Sequence, residues 1–187
     1  MVARLRHHGK VTRPTLPVTD PLTLATLDTE RHVARDGWDQ PVRLFALVPT
    51  AELLAHEPGL AGSLATHDVA AGALSAVEQD DLPEASGLEE LLGRIAWPDE
   101  VSGCALAVER IVLPPDAERD LPEDARAALA QVSGHPGRED VRLVVAVTRD
   151  GASRCLLRQR SHDRDDEVAM GEDIAPGLTE ALLTTFA

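Results

Sequence analysis

The chain has no tyrosine, two phenylalanines and two tryptophans among its 187 residues. Its core must therefore be aliphatic, with Trp38, Phe45, Trp97 and Phe186 as the few large pieces. Lysine occurs once, at Lys10, so almost every other cation is an arginine. The two cysteines, Cys104 and Cys155, lie far apart, each inside an apolar strand pattern. That placement suits buried free thiols in a reducing compartment, not a disulfide framework. No apolar run reaches the roughly eighteen residues that a membrane-spanning helix needs, which predicts no membrane insertion. The basic N-terminus leads into no apolar signal segment, so the expected location is cytoplasmic. A phosphate loop, a dinucleotide fingerprint, a Gly-x-Ser-x-Gly elbow, a zinc-ligand pattern and a His-Glu-x-x-His motif are all missing. No cofactor is expected, and without a catalytic motif the reading leans away from an enzyme without excluding one.

What is present is charge. Asp and Glu number 32 against 18 Lys and Arg, a formal charge of −14. Such a surface repels phosphate backbones and argues against nucleic acid as a partner, while a protein partner or a second copy of the chain stays open. Residues 1–19 depart from this trend, with Arg4, Arg6, Lys10 and Arg13 and no periodicity, and read as a basic flexible extension. Residues 20–187 read as one domain, long enough to bury about 70% of its unfolded surface without staples.

Asp20-Pro21 opens a helix as N-cap and first-turn proline, and Gly37 closes it. Leu24, Leu27, Arg31 and Ala34 share one face, with Leu22, Ala25 and Val33 beside it. A strand follows over Val42–Val48, then a short helix over Ala51–His56 capped by Thr50, and a strand over Ala73–Glu78. Ser86 is the expected N-cap of a helix over Gly87–Ile95, with a core stripe at Leu88, Leu91, Leu92 and Ile95. Trp97–Pro115 carries the central strand, Gly103–Leu113, apolar on both faces in its first half and therefore covered on both sides. An acidic excursion with a helix near Glu123–Val132 leads to a hairpin over Glu139–Ser161.

Two registers compete in that hairpin, because a slip of one residue exchanges its faces. A three-residue loop, Arg149-Asp150-Gly151, with Gly151 in the left-handed region, groups Val141, Leu143, Val145 and Val147 with Ser153, Cys155, Leu157 and Gln159. This register keeps the arginines off the main apolar face and is preferred. The opposite face then holds Arg142, Arg154, Arg158 and Arg160, the candidate binding set for an anionic group. The preferred reading is that these arginines lay their stems on the sheet and pair with the protein's own surplus carboxylates. His162, Asp163, Asp165, Asp166 and Glu167 form a second candidate, for a hard cation, but lack the glycine hinge and spaced terminal Glu of a calcium loop. A terminal helix from Pro176 packs Leu178, Ala181, Leu182 and Phe186 on the sheet.

Runs of antiparallel strands bracketed by helices indicate an α+β fold, two-layered, with an element order similar to type III secretion chaperones. The segments GWDQPVRLFALVPTAELLAHEPGLA, LEELLGRIAWPDEVSGCALAVERIVLPP, HPGREDVRLVVAVTRDGASRCLLRQRSH and PGLTEALLTTF resemble a family of uncharacterised, acidic actinobacterial proteins. That resemblance covers most of residues 20–187 and brings no catalytic or ligand-binding residue with it. Two functions remain: a non-enzymatic protein-binding or chaperone-like module, and a small-molecule protein or enzyme that takes an anionic ligand on the arginine face.

Overall fold

A computed structural model describes residues 20–62, 71–122, 124–172 and 174–187. The basic extension lies outside the described residues, as does most of the stretch before the second strand. The main helices and strands run in the order α1 (Pro21–Arg35), β1 (Arg43–Pro49), α2 (Thr50–His56), β2 (Leu74–Glu78), α3 (Leu88–Leu92), β3 (Gly103–Val112), α4 (Pro115–Arg119), α5 (Ala125–Gly134), β4 (Glu139–Thr148), β5 (Ser153–Gln159), β6 (Ala169–Gly171) and α6 (Pro176–Leu183). The strands make one antiparallel sheet in the order β2-β1-β3-β4-β5-β6, an α+β architecture. Strand β3, with β4 beside it, occupies the middle, where both neighbours must be paired and both faces covered.

Alternation along these strands sorts the core into two halves. Cys104, Leu106 and Val108 of β3 join Val141, Leu143, Val145 and Val147 of β4 on one face, under Leu92 of α3 and Leu178 and Leu182 of α6. Ala105 and Ala107 join Phe45, Leu47, Val144, Ala146 and Leu156 on the other, under Leu22, Ala25 and Val33 of α1. Helices thus cover both faces, and the two-layer expectation gives way to three layers with the sheet in the middle. The reason lies in β3 and β4, which are apolar on both sides and would leave half their apolar surface wet in two layers.

Local chemistry sets several element ends. The Asp20 carboxylate accepts from the backbone N–H of Thr23 at 3.0 Å, and Gly37 takes φ 79 just past the α1 terminus. In the β4–β5 hairpin Val145 pairs with Cys155 and Val147 with Ser153, the register that the three-residue loop requires. The Gly151 N–H donates to the Thr148 carbonyl at 3.0 Å and Gly151 has φ 90, as a type I turn with a G1 bulge demands. Two caps differ from expectation. Thr50 begins α2 itself, because its hydroxyl is engaged by the Ser75 hydroxyl of β2 at 2.8 Å. Ser86 stands one residue before the Gly87 cap, and its N–H and hydroxyl both donate to the Glu90 carboxylate.

Gly103 opens β3 at a crowded point. A Cβ there would lie 2.5 Å from the Val147 carbonyl oxygen of the neighbouring strand. Gly103→Ala is expected to lose about 1–3 kcal/mol through overpacking. Gly177→Ala, where nothing lies within 4 Å, should lose none. Urea unfolding of the two variants checks this, and equal stability would contradict the close approach.

Candidate functional site

The α1 face of the sheet carries arginines as well as aliphatics. Arg142 stands directly across from Arg158, and Arg154 across from Ala146, so strand alternation brings three guanidinium groups to one face. Like charges facing across a strand pair repel unless neutralised. Helix α1 lies over them, and its covered side holds Thr23, Thr26, Thr29 and Glu30 beside Leu22, Ala25 and Val33. The Leu24 and Leu27 face is only half-buried. Burying threonine in a helix leaves a hydroxyl to satisfy. Thr26 and Thr29 donate theirs back to the carbonyls of Leu22 and Ala25 at 2.6 and 2.7 Å.

Arg158 is 2% exposed and meets an equally buried Glu30. Its Nε and Nη2 donate to Oε1 and Oε2 at 2.6 and 2.8 Å, a bidentate pair. The remaining donors reach Asp163 at 3.1 Å and Asp165 at 2.7 Å, which folds the 160–167 loop over the pair. These hydrogen bonds, with Glu30's foremost, raise the Arg158 pKa, and Arg158 in turn holds the Asp165 carboxyl below its ordinary value. Arg154 donates from Nε to the Thr23 hydroxyl at 2.8 Å and pairs with Glu172 at 3.0 Å and Asp20 at 3.3 Å.

Arg142, 1% exposed, donates to Glu109 of β3 at 2.9 Å and to the Gly37 carbonyl just after α1. Its guanidinium carbon lies 4.5 Å from the centroid of the Trp38 ring, and that of Arg160 lies 5.5 Å from the same ring. The Trp38 indole N–H donates to Asp163 at 2.8 Å. Arg160 forms a bidentate pair with Asp39 at 2.9 and 2.8 Å, and its hydrogen bonds hold the Asp39 carboxyl low. The Asp39 N–H donates to Glu109 at 2.9 Å with the residue at φ 65, so Glu109 ties the post-α1 turn to β3. At the far flank, Arg43 of β1 pairs with Glu78 and Asp36, and His32 of α1 contacts both Arg43 and Glu78.

The structure therefore brings all four sequence candidates to the edges of one helix. It places Arg142 and Arg158 beneath α1, Arg154 at its start and Arg160 against the turn that follows it. Each is already hydrogen-bonded to a carboxylate of the chain. Arg43 and Glu30, absent from the candidate set, belong to the same seam. Arg43 sits in β1 as the single charge in an apolar run, a pattern that signals a partner across the sheet face. Among the described residues no His, Cys, Asp and Glu group is arranged to hold a metal ion. In the 162–167 loop, Asp163 and Asp165 face Arg158, and Asp166 faces Arg164.

Nucleophile chemistry has little support in the geometry. Burial pushes the thiols of Cys104 and Cys155 up to about 12, which leaves both protonated at neutral pH. Cys104 lies 3.9 Å from the Thr185 hydroxyl, which also accepts from the Trp97 indole N–H at 2.9 Å. The Ser161 hydroxyl lies 2.8 Å from His162 Nδ1, a contact that the sequence reading did not single out. Among the described residues no carboxylate accepts from His162 Nε2, so the pair lacks the orienting third group of a triad.

These features define an α+β protein whose polar side chains are committed to holding a helix on a sheet. The chain belongs to the PPA1309-like protein family, whose model matches residues 22–187. No curated protein and no solved structure matches it. No helix among the described residues is long and apolar enough to cross a membrane.

Breaking one half of a buried ion pair strands the other charge. Arg158→Met and Glu30→Met are each expected to lose about 3–5 kcal/mol. The double variant Arg158→Met, Glu30→Met should recover a large part of that loss, and thermal or urea unfolding of the cycle measures it. Additive losses would show that the pair is not coupled.

A second test uses acid. The hydrogen bonds from Arg43 hold the Glu78 carboxyl below its ordinary value of 4.5. Its contribution is complete above that value and is lost as pH falls beneath it. The stability gap between the wild type and Glu78→Gln should be largest near neutrality and close in acid. A gap independent of pH would contradict the pairing.

Proposed function

We propose that this protein works by holding a polypeptide against its surface, without covalent chemistry. One observation carries this reading: the exposed face of α5. Leu129 is 65% exposed on that helix, and among the described residues the other exposed large apolar side chain is Val77 at 37%. Among the described side chains of α5, Val132 is buried and Ala128 half-buried. Between Ala127 and Gly134 the helix has no charged residue. Residues 121–138 hold two carboxylates, Glu123 and Asp124, and two arginines, Arg126 and Arg138, so this stretch is neutral in a chain of −14.

Surfaces that bind protein are depleted of charge at their centre and ringed by polar groups, which α5 and its flanks match. An isolated exposed leucine on a charged surface would need no explanation. Leu129 differs in standing on a helix whose exposed middle offers only small or uncharged neighbours. The competing reading places a small anionic ligand on Arg142, Arg154, Arg158 and Arg160. Such a ligand would have to displace Glu109, Glu172, Glu30 and Asp39 from pairs that the fold itself uses. Protein binding through α5 leaves those pairs intact.

Replacing Leu129 with photoreactive benzoylphenylalanine in the full chain tests the reading in cells. Irradiation is expected to yield a covalent adduct with a polypeptide. The same residue in place of Glu89, on the acidic surface of α3, should yield none. Absence of any polypeptide adduct at position 129, or equal adducts at both positions, would overturn it.

A further inference from the structure

Strand β2 is an open edge of the sheet. The Gln79 N–H donates to the Leu44 carbonyl and the Thr50 N–H to the Ala73 carbonyl, both at 2.9 Å, which fixes the phase of the β1–β2 ladder. Ser75 and Val77 therefore turn their N–H and carbonyl groups towards β1, and Leu74, Ala76 and Glu78 turn theirs outward. Among the described residues, none bonds those outward backbone groups. Edge strands are ordinarily blunted by lysine, proline, a bulge or very short length. Strand β2 has none of these devices. Its five residues, LSAVE, keep unbroken register with β1, and Ala76 and Val77 are exposed. We propose that the chain's own basic N-terminal stretch covers this edge, with residues 10–13 added as a strand antiparallel to β2. The inference is separate from the protein-binding reading of α5.

The place where the stretch ends is the first reason. Asp20 caps α1, and Pro21 lies beside Gly72, where an added Cβ would stand 4.0 Å from the Pro21 Cγ. Strand β2 begins two residues later, at Leu74. Residues 14–19 can span about 20 Å, enough to lead from the start of β2 to Asp20. A segment that runs towards that end of β2 meets the strand antiparallel.

Charge is the second. Residues 1–19 hold Arg4, Arg6, Lys10 and Arg13 and no Asp or Glu. Between Arg43 and Arg94, the stretch that contains β2, there are nine Asp and Glu and no Lys or Arg. Antiparallel entry sets Lys10 towards the Glu78 end of β2, where Asp80 and Asp81 are exposed. Residue type agrees, since Val11 and Thr12 are β-branched and Pro14 follows as a stop. The opposite edge fits less well. Strand β6 has three residues, and the acids near it, Glu172 and Asp166, already pair with Arg154 and Arg164. So placed, the N-terminal stretch keeps β2 from templating a strand of another chain.

Amide hydrogen exchange of the full chain, followed residue by residue by NMR, tests the assignment. The N–H groups of Leu74, Ala76 and Glu78 are expected to exchange at least about ten times more slowly than in a variant lacking residues 1–13. Those of Ser75 and Val77, bonded to β1, should change little, and Val145 in the core reports any global loss of stability. Val11→Pro with Thr12→Pro, which removes a donor in either phase of the added strand, should release the outward amides as the deletion does. Lys10→Glu with Arg13→Glu should release them in part. Fast exchange at 74, 76 and 78 in the full chain would overturn the proposal. So would protection that survives the deletion or the proline pair, or that rises with protein concentration, the sign of a second copy. Protection lost at residues 169–171 in place of β2 would overturn it too. None of these results bears on photolinking at position 129.

Discussion

The Arg158–Glu30 pair is the contact that ties α1 to the sheet. An unpaired guanidinium beneath a helix would carry a desolvation cost of several kcal/mol. Glu30 has to be opposite Arg158, and its position fixes both the rotation of α1 and its axial placement. The rest of the helix follows from that constraint. Thr23 reaches Arg154, the Gly37 carbonyl after the last turn reaches Arg142, and His32 and Asp36 reach Arg43. Arginines from β1, β4 and β5 thus hold one helix along its whole length. Arginine suits this role better than lysine, because its planar fork satisfies two acceptors with one orientation and remains charged when buried.

The pair also organises what lies outside α1. Arg158 has donors left over after Glu30, and these draw Asp163 and Asp165 inward, so the loop after β5 closes over the end of the seam. Asp163 in turn accepts from Trp38, whose ring contacts Arg142 and Arg160. A residue that looks like an isolated aromatic at a helix boundary is thereby the contact between two cations and an acid. The sheet's other face is closed by the aliphatic packing of Leu178, Leu182 and Leu92, with Thr185 bonded to Trp97 just after α6 and Arg149 lying over Phe186 while it donates to the Trp97, Pro98 and Val101 carbonyls.

What the sequence made legible was local. Asp20, Pro21 and Gly37 bounded α1 because caps act within a turn of the residue that carries them. Gly151 and the arginine spacing settled the hairpin register, since one alternative would have put three cations, Arg154, Arg158 and Arg160, on the main apolar face. The orientation of α1 was not legible. Its inner side is chosen by arginines more than a hundred residues away, and Thr26, Thr29 and Glu30 give no apolar period to find. The arginine face was visible as a pattern, but that a helix covers it was not, because a period of two says which residues share a face and nothing of what lies on it. Thr50 looked like a cap until the Ser75 hydroxyl claimed it from another strand, and β6, with three residues, is too short to show alternation at all.

The division of labour between polar and apolar residues explains where a binding surface can arise. In most acidic proteins the arginines are outside and offset the carboxylates. Here Arg142 and Arg158 are turned inward, and Arg43 is largely covered, so the exterior is left with a larger excess of acid than an even distribution would give. That excess keeps other proteins, and other copies of this one, at a distance over most of the surface. Helix α5 lies outside that seam, with Val132 buried and Gln131 donating to the Asp120 carbonyl. Its exposed middle has no part in the ion-pair network, so a contact made there neither borrows from the core nor disturbs it.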